Sequence, residues 1–273
     1  MSDQVAGLLA GLVAAALFGV AAVVQASAVR RIGGRPTHLV GFVLRSVRDP
    51  LTMLVVAAYL GGFVLHAVAI WLLPLYLAQA LISLSLPVTA LASRRVSEDL
   101  SRGDWVGVGA VTAGLALLSL GSGEPGEVVT TWAFALAVGL GVVLLLAAAM
   151  VGREWSGPVL GALAGLGYAG SAIAVRGVGL PLEPPVVLAA LAVPAFGLVS
   201  FWLYSLGMHS NAVTGTTAPM IVGQTLLPAA IGVALLGDGV RDGWAVGVAI
   251  GLVLATAGAA AVSRSPSSAA TAS

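Results

Sequence analysis

The chain has 273 residues, 59% of them hydrophobic and 8% charged, with a formal net charge of +1 and a mean hydropathy of +1.06. Soluble domains carry about a quarter charged residues, so this composition excludes a soluble globular fold and points to helices that cross a bilayer. Cysteine is absent, which excludes disulfides, thiolate metal sites and cysteine nucleophiles, and every one of the 12 basic residues is arginine.

Apolar stretches recur at the length that spans a hydrocarbon layer of about 30 Å at 1.5 Å per helical residue. In chain order, hydropathy and the breaks at Gly, Pro and charge predict spans near 4–29, 51–73, 75–93, 104–121, 128–149, 156–176, 186–206, 211–236 and 243–262. The first reads as a retained span rather than a signal peptide, because no basic leader or small-residue cleavage site accompanies it. Residues 36–49 are semi-apolar but carry Arg45 and Arg48, and read as an interfacial helix on the cytoplasmic side. Were they to cross, the count would be ten and the N-terminus inside. The Ser/Ala-rich residues 264–273 read as a disordered tail.

Arginine in short loops marks the cytoplasmic side. An N-terminus outside and a C-terminus inside place Arg30, Arg31, Arg35, Arg45, Arg48, Arg94, Arg95, Arg102, Arg153 and Arg264 in the cytoplasm, leaving Arg176 and Arg241 outside. The expected protein is a multi-pass protein of the plasma membrane.

A long-period repeat underlies the spans. An apolar span with Pro87 leads to an acidic turn and then Gly103-Asp104-Trp105-Val106-Gly107-Val108; about 140 residues on, Pro219 and Pro228 are followed by Gly237-Asp238-Gly239 and Asp242-Gly243-Trp244-Ala245-Val246-Gly247. Leu17-Phe18-Gly19 similarly pairs with Gly167-Tyr168-Ala169. The predicted fold is therefore an all-α transmembrane bundle of about nine spans. Two inverted four-helix repeats, 1–122 and 153–263, are joined by a fifth helix in 123–152. Inverted halves can expose a shared site first to one side and then to the other.

Polar side chains inside spans are the candidate site residues. His66 is the ionisable side chain set well inside a span; it can bind substrate, carry a proton, or bond a neighbouring helix as a neutral group. Gln79, Ser83 and Ser85 on span three and Gln224 and Thr225 on span eight stand at corresponding depths, either lining a cavity or acting as interhelical glue. Pro87, Pro219 and Pro228 remove backbone donors inside spans and mark helix breaks or kinks. Tyr168 lies near mid-depth, where it can stack on a substrate, whereas Trp71 and Tyr204 near span ends read as belt residues. Arg176 is placed to snorkel at an outer helix end, with anchoring of a substrate as the other reading. Thr214, Thr216 and Thr217 serve to satisfy backbone groups, and Gly161, Gly165, Gly247 and Gly251 form packing seams.

Several segments resemble the drug/metabolite transporter superfamily, the EamA-type transporters and their nine-helix NIPA-type relatives, over nearly the whole chain. They are Gln25-Ala26-Ser27-Ala28-Val29-Arg30-Arg31, Leu72-Leu73-Pro74-Leu75-Tyr76-Leu77-Ala78-Gln79, and the turn Glu98-Asp99-Leu100-Ser101 before Trp105 and Gly107. The resemblance implies secondary transport of a small metabolite, and in one branch of magnesium. All 11 acidic residues fall in loops, tails or helix ends, whereas magnesium takes carboxylate oxygens; no metal site is expected.

The leading expectation is a transporter of a neutral or amphiphilic small molecule, with proton coupling through His66 left open. No cofactor and no nucleic-acid partner is expected, since no nucleotide-binding motif is present. An enzyme is not expected, because the spans hold no nucleophile and base pair, and Gly170-Ser171-Ala172 lacks the following Gly of the intramembrane serine protease pattern. A membrane scaffold or assembly protein is the alternative.

Overall fold

Residues 2–31, 38–73, 81–96, 99–123, 126, 128–209 and 212–264 are described by the computed structural model of the chain. Regular structure among them is helical apart from an isolated antiparallel bridge between Ser122 and Val240. The helices are α1 (Ser2–Arg31), α2 (Leu39–Ser46), α3 (Pro50–Leu72), α4 (Ser85–Ala92), α5 (Arg102–Leu120), α6 (Trp132–Gly152), α7 (Gly157–Arg176), α8 (Pro184–His209), α9 (Val213–Leu235) and α10 (Ala245–Ser263). Eight of the described helices, all but α2 and α4, are long and apolar enough to cross a membrane.

Local chemistry sets the helix starts. Asp49 caps α3, accepting from the Thr52 N–H at 2.8 Å, with Pro50 in the first turn, where its missing donor costs nothing. Ser101 and Asp104 form a reciprocal capping box on α5, and Thr131 caps α6. These side chains take up the orphan donors that a helix terminus exposes.

The predicted third span falls partly outside the described residues. From Leu81 the chain is helical, breaks at Leu84, resumes as α4 and tightens into a 3-10 turn at Ser93–Val96. Pro87 lies in the first turn after that break. The break expected at Pro219 and Pro228 is not found, since α9 is continuous through both. Pro219 withholds the N–H that would reach the Gly215 carbonyl, and the Ser263 hydroxyl approaches that carbonyl at 3.5 Å instead. Residues 39–46 form α2, whose length of 8 residues, about 12 Å, cannot cross the bilayer core. It rests on α8 through Phe42, 5.7 Å from the Phe201 ring.

In hydrocarbon, apolar side chains gain nothing by facing inward, so small residues take the interfaces and large ones face lipid. Leu60, Phe63 and Val64 on α3 and Leu136, Leu140 and Leu144 on α6 are exposed, while Ala14, Ala26, Ala149, Ala164 and Ala255 are buried. α1 packs on α3 and α4, and α7 packs on α8 and α9. α5 runs along α10, α6 covers α7 and α8, and α1 meets α8. A Cβ at Gly114 would stand 2.6 Å from the Gly251 carbonyl oxygen, and one at Gly258 2.6 Å from that of Gly107. Gly161 and Gly165 face the Thr216 and Met220 carbonyls in the same manner. Gly247, expected in a seam, abuts Trp244 of its own helix start; Gly258 takes the seam position.

Candidate functional site

The polar centre of the bundle is built where α1 and α3 meet α8. Gln25 on α1, 1% exposed, accepts a hydrogen bond from the Tyr59 hydroxyl at 2.7 Å. Its amide donates to Ser205 Oγ on α8 at 2.9 Å. Beside it, Tyr204 and Thr217 hydroxyls are 2.5 Å apart. Thr217 spends its proton on the Val213 carbonyl at 2.7 Å, so Tyr204 is the donor to Thr217. Tyr59 also stacks on Phe18 with centroids 6.1 Å apart and meets Phe201 edge-on at 6.3 Å. Tyr168 and Tyr204 lie within electrostatic reach of the Tyr59 hydroxyl.

Every group in this network is neutral. Tyr, Gln, Ser and Thr supply donors and acceptors, and Phe18, Tyr59 and Phe201 supply flat apolar faces. Gln25 and Tyr59 lie about 9 and 14 Å along their helices from the ends at Arg31 and Pro50, within the hydrocarbon layer. The arrangement can bind an uncharged solute through hydrogen bonds and aromatic contact.

The candidates named from sequence distribute as follows. Tyr168 is half-buried beside the network. Tyr204 is buried and hydrogen-bonded, not a belt residue. Thr217 satisfies backbone, as expected, and also receives Tyr204. His66 stands two turns beyond Tyr59 on the same face of α3, with Gly62 between them against the Phe18 ring. Its Nδ1 is buried without a hydrogen-bond partner. Ser83 and Ser85 are buried; the Ser85 carbonyl approaches Gly19 of α1. Gln224 and Thr225 are half-buried, and the Thr225 hydroxyl is bonded to the Ile221 carbonyl of its own helix at 2.9 Å. Gln79 and the Trp71 side chain lie outside the described residues. Gln25 and Tyr59 escaped the candidate list. Gln25 was visible as an amide five residues before an arginine pair, and Tyr59 as a phenol in mid-span.

The two ends of the bundle differ. At the arginine-rich end, Arg30 Nε donates to the Met208 carbonyl at 3.1 Å and Thr214 to Ser93 Oγ at 3.2 Å. Residues 202–208 of α8 are all buried, as are 213–222 of α9 except the half-buried Pro219. Further along α9, residues 223–228 are half-buried and 229–230 exposed. The helices are thus drawn together at the arginine-rich end and looser towards the other.

At that other end a polar latch joins three turns. Arg176 at the end of α7 pairs with Asp238 at 2.6 Å and donates to the Gly126 carbonyl at 2.7 Å, while the Gly126 N–H reaches the second Asp238 oxygen at 2.7 Å. Gly237 turns the chain at φ +76°, a conformation open to glycine. The sequence placed Arg176 as a snorkelling side chain; the structure ties it to a carboxylate. The Arg176 hydrogen bond holds the Asp238 carboxyl below its ordinary range against the opposing effect of burial, with the Gly126 N–H adding to it.

A depressed carboxylate stabilises the fold above its unfolded pKa of about 3.9, and that contribution is lost as pH falls through the folded value. Asp238→Asn is therefore expected to cost about 2 kcal/mol at pH 7 and to flatten the loss of thermal stability in acid, measured by unfolding scans in detergent from pH 7 to pH 3. Some acid sensitivity will persist from Asp49. Burial opposes its ionisation, but bonds from Thr52 and Arg31 outweigh that and hold it low. An acid limb as steep as in the unsubstituted protein would refute the assignment to Asp238.

Fold and site together define a multi-pass α-helical membrane protein with a neutral hydrogen-bonding network at the meeting of its helices. Comparison with family models, with curated proteins and with solved structures returned no match.

Proposed function

We propose that the chain is a secondary transporter of a small neutral or amphiphilic solute, worked by alternating access between two inverted halves, residues 1–122 and 153–263. The single observation that carries this reading is the Tyr59–Gln25–Ser205 network. It lies within the membrane and joins the first half to the second through neutral hydrogen bonds. Such bonds contribute about 0.6 kcal/mol each between transmembrane helices. That is little enough to exchange for bonds to a solute when the halves move.

The packing agrees with a repeat. The first helix of each half packs on two others of that half, α1 on α3 and α4 and α7 on α8 and α9, and the last helices, α5 and α10, lie along each other. Nine spans with the N-terminus outside follow from the arginine distribution, which makes the end sealed by Arg30 and Met208 the cytoplasmic one. Membership of the drug/metabolite transporter superfamily is part of this reading. A divalent cation fits poorly, since it requires hard charged oxygens and the network supplies none.

The test is uptake of a panel of neutral metabolites into proteoliposomes, with and without a pH gradient. Saturable flux of at least one solute is expected. If a gradient drives it, His66→Ala should remove the pH dependence. No flux across a broad panel would count against transport and in favour of a scaffold.

A further inference from the structure

Two neighbouring cavities lie beside α6 and α7 towards the end of the bundle that carries Arg176. The larger, about 660 Å³, is a groove between α6, α7 and α9, and each side chain lining it is hydrocarbon. Its wall runs on α6 from Phe134 to Ala148 and on α7 from Leu163 to Ile173, about 21 Å and 15 Å along the axes. The Phe196 ring forms the floor, seated against Gly141 and Gly170, so the width of the groove is made by missing side chains.

One turn beyond the groove, a second cavity of about 310 Å³ has Thr130, Arg176 and Glu183 among otherwise apolar and glycine lining residues. The cavities adjoin where the Phe134 ring lies against Gly177, next to the Thr130 hydroxyl that donates to the Gly177 carbonyl at 2.7 Å. Asp238 and the Gly126 carbonyl orient the Arg176 guanidinium through two of its five N–H groups. Arg176 is also among the residues that line the smaller cavity.

An apolar groove next to a cavity that carries Arg176, Glu183 and Thr130 matches the two parts of an amphiphile. We propose that this corner binds a phospholipid, with one acyl chain in the groove and the phosphate on Arg176. The α7 wall matches one leaflet of a hydrocarbon core about 30 Å thick. Water does not fill a groove without polar partners, and the chain available at that depth is acyl. The chamber sits at the helix termini, at the level of headgroups. An oriented guanidinium is suited to phosphate oxygens, and Glu183 on the same wall suits the ammonium of a zwitterionic head.

The experiment is native mass spectrometry of the delipidated full chain in detergent, titrated with dipalmitoyl phosphatidylethanolamine. Dipalmitoylglycerol and inorganic phosphate serve as comparison ligands, and binding is read without any flux. One phospholipid per chain is expected, bound about tenfold or more tightly than the diacylglycerol, with no displacement by millimolar phosphate. Leu144→Trp fills the groove from its exposed rim, and is expected to cut phospholipid binding about tenfold at unchanged thermal stability. Arg176→Gln should lower phospholipid affinity to that of diacylglycerol. Should it loosen the latch instead, Leu144→Trp alone decides the matter. Equal affinity for diacylglycerol, full competition by phosphate, or undiminished binding by Leu144→Trp would overturn the proposal.

Discussion

Gly161→Leu is expected to prevent the chain from being recovered as a monodisperse folded protein, while Gly139→Leu leaves its thermal stability unchanged or raises it. Both glycines lie inside long transmembrane helices, and leucine is the better helix former by about 0.8 kcal/mol. Propensity alone therefore predicts the same small gain at both. Surroundings reverse the outcome. A Cβ at Gly161 of α7 would run into the backbone carbonyl of Thr216 on α9, whereas a Cβ at Gly139 of α6 meets nothing within 4 Å. A carbonyl held in a helix cannot rotate aside as a flexible side chain can. The cost at Gly161 is about 3 kcal/mol or more, at the upper end for overpacking. Size-exclusion profiles and thermal unfolding of the two variants side by side provide the measurement. Equal behaviour of the pair would mean that α7 and α9 do not approach through this glycine.

The legibility of this chain divides along the same line. Composition and apolar length are one-dimensional quantities that the bilayer reads directly, so eight of the predicted spans have a counterpart among the described helices. The short α2 falls within the segment 36–49 that was read as interfacial. Seams were half visible. Small residues at four-residue spacing predicted Gly161, Gly165 and Gly251, but nothing in that spacing separates Gly247, which faces its own Trp244, from Gly258, which touches Gly107. The site was least legible. Depth estimates favoured His66, Gln224 and Thr225, yet Thr225 spends its hydroxyl on its own helix. Gln25 was hidden by its neighbours, since an amide close to an arginine pair reads as part of the helix end. A helix of 30 residues is longer than the core requires, and this places Gln25 within the hydrocarbon. Tyr204 was misread for the same reason. Which of several polar side chains meet depends on how helices rotate about their axes, and near-uniform hydrophobicity around each helix leaves no amphipathic face from which to read that rotation.

Gln25→Leu offers the sharpest test of the centre. Leucine is close in size to glutamine, so packing is largely retained, but the Tyr59 hydroxyl loses its acceptor and Ser205 its donor. Two half-satisfied groups inside the membrane cost more than the bonds themselves, about 1–3 kcal/mol in total, offset wherever water or a neighbour steps in. Thermal stability should fall by that amount. Tyr59→Phe removes one bond and leaves the Gln25–Ser205 bond in place, so its cost should be smaller. The double variant should be no less stable than Gln25→Leu alone, because the two side chains act as one unit. Transport and scaffold readings agree up to this point and then separate. If the network is where the solute binds, loss of about 1.4 kcal/mol of binding lowers flux at limiting solute roughly tenfold, and Tyr59→Phe lowers it in proportion to the bond it removes. If the network only holds helices together, flux measured on the properly folded fraction of each variant stays equal to that of the unsubstituted protein. A stability loss with undiminished flux would therefore leave the fold as described and remove these three side chains from the transport path.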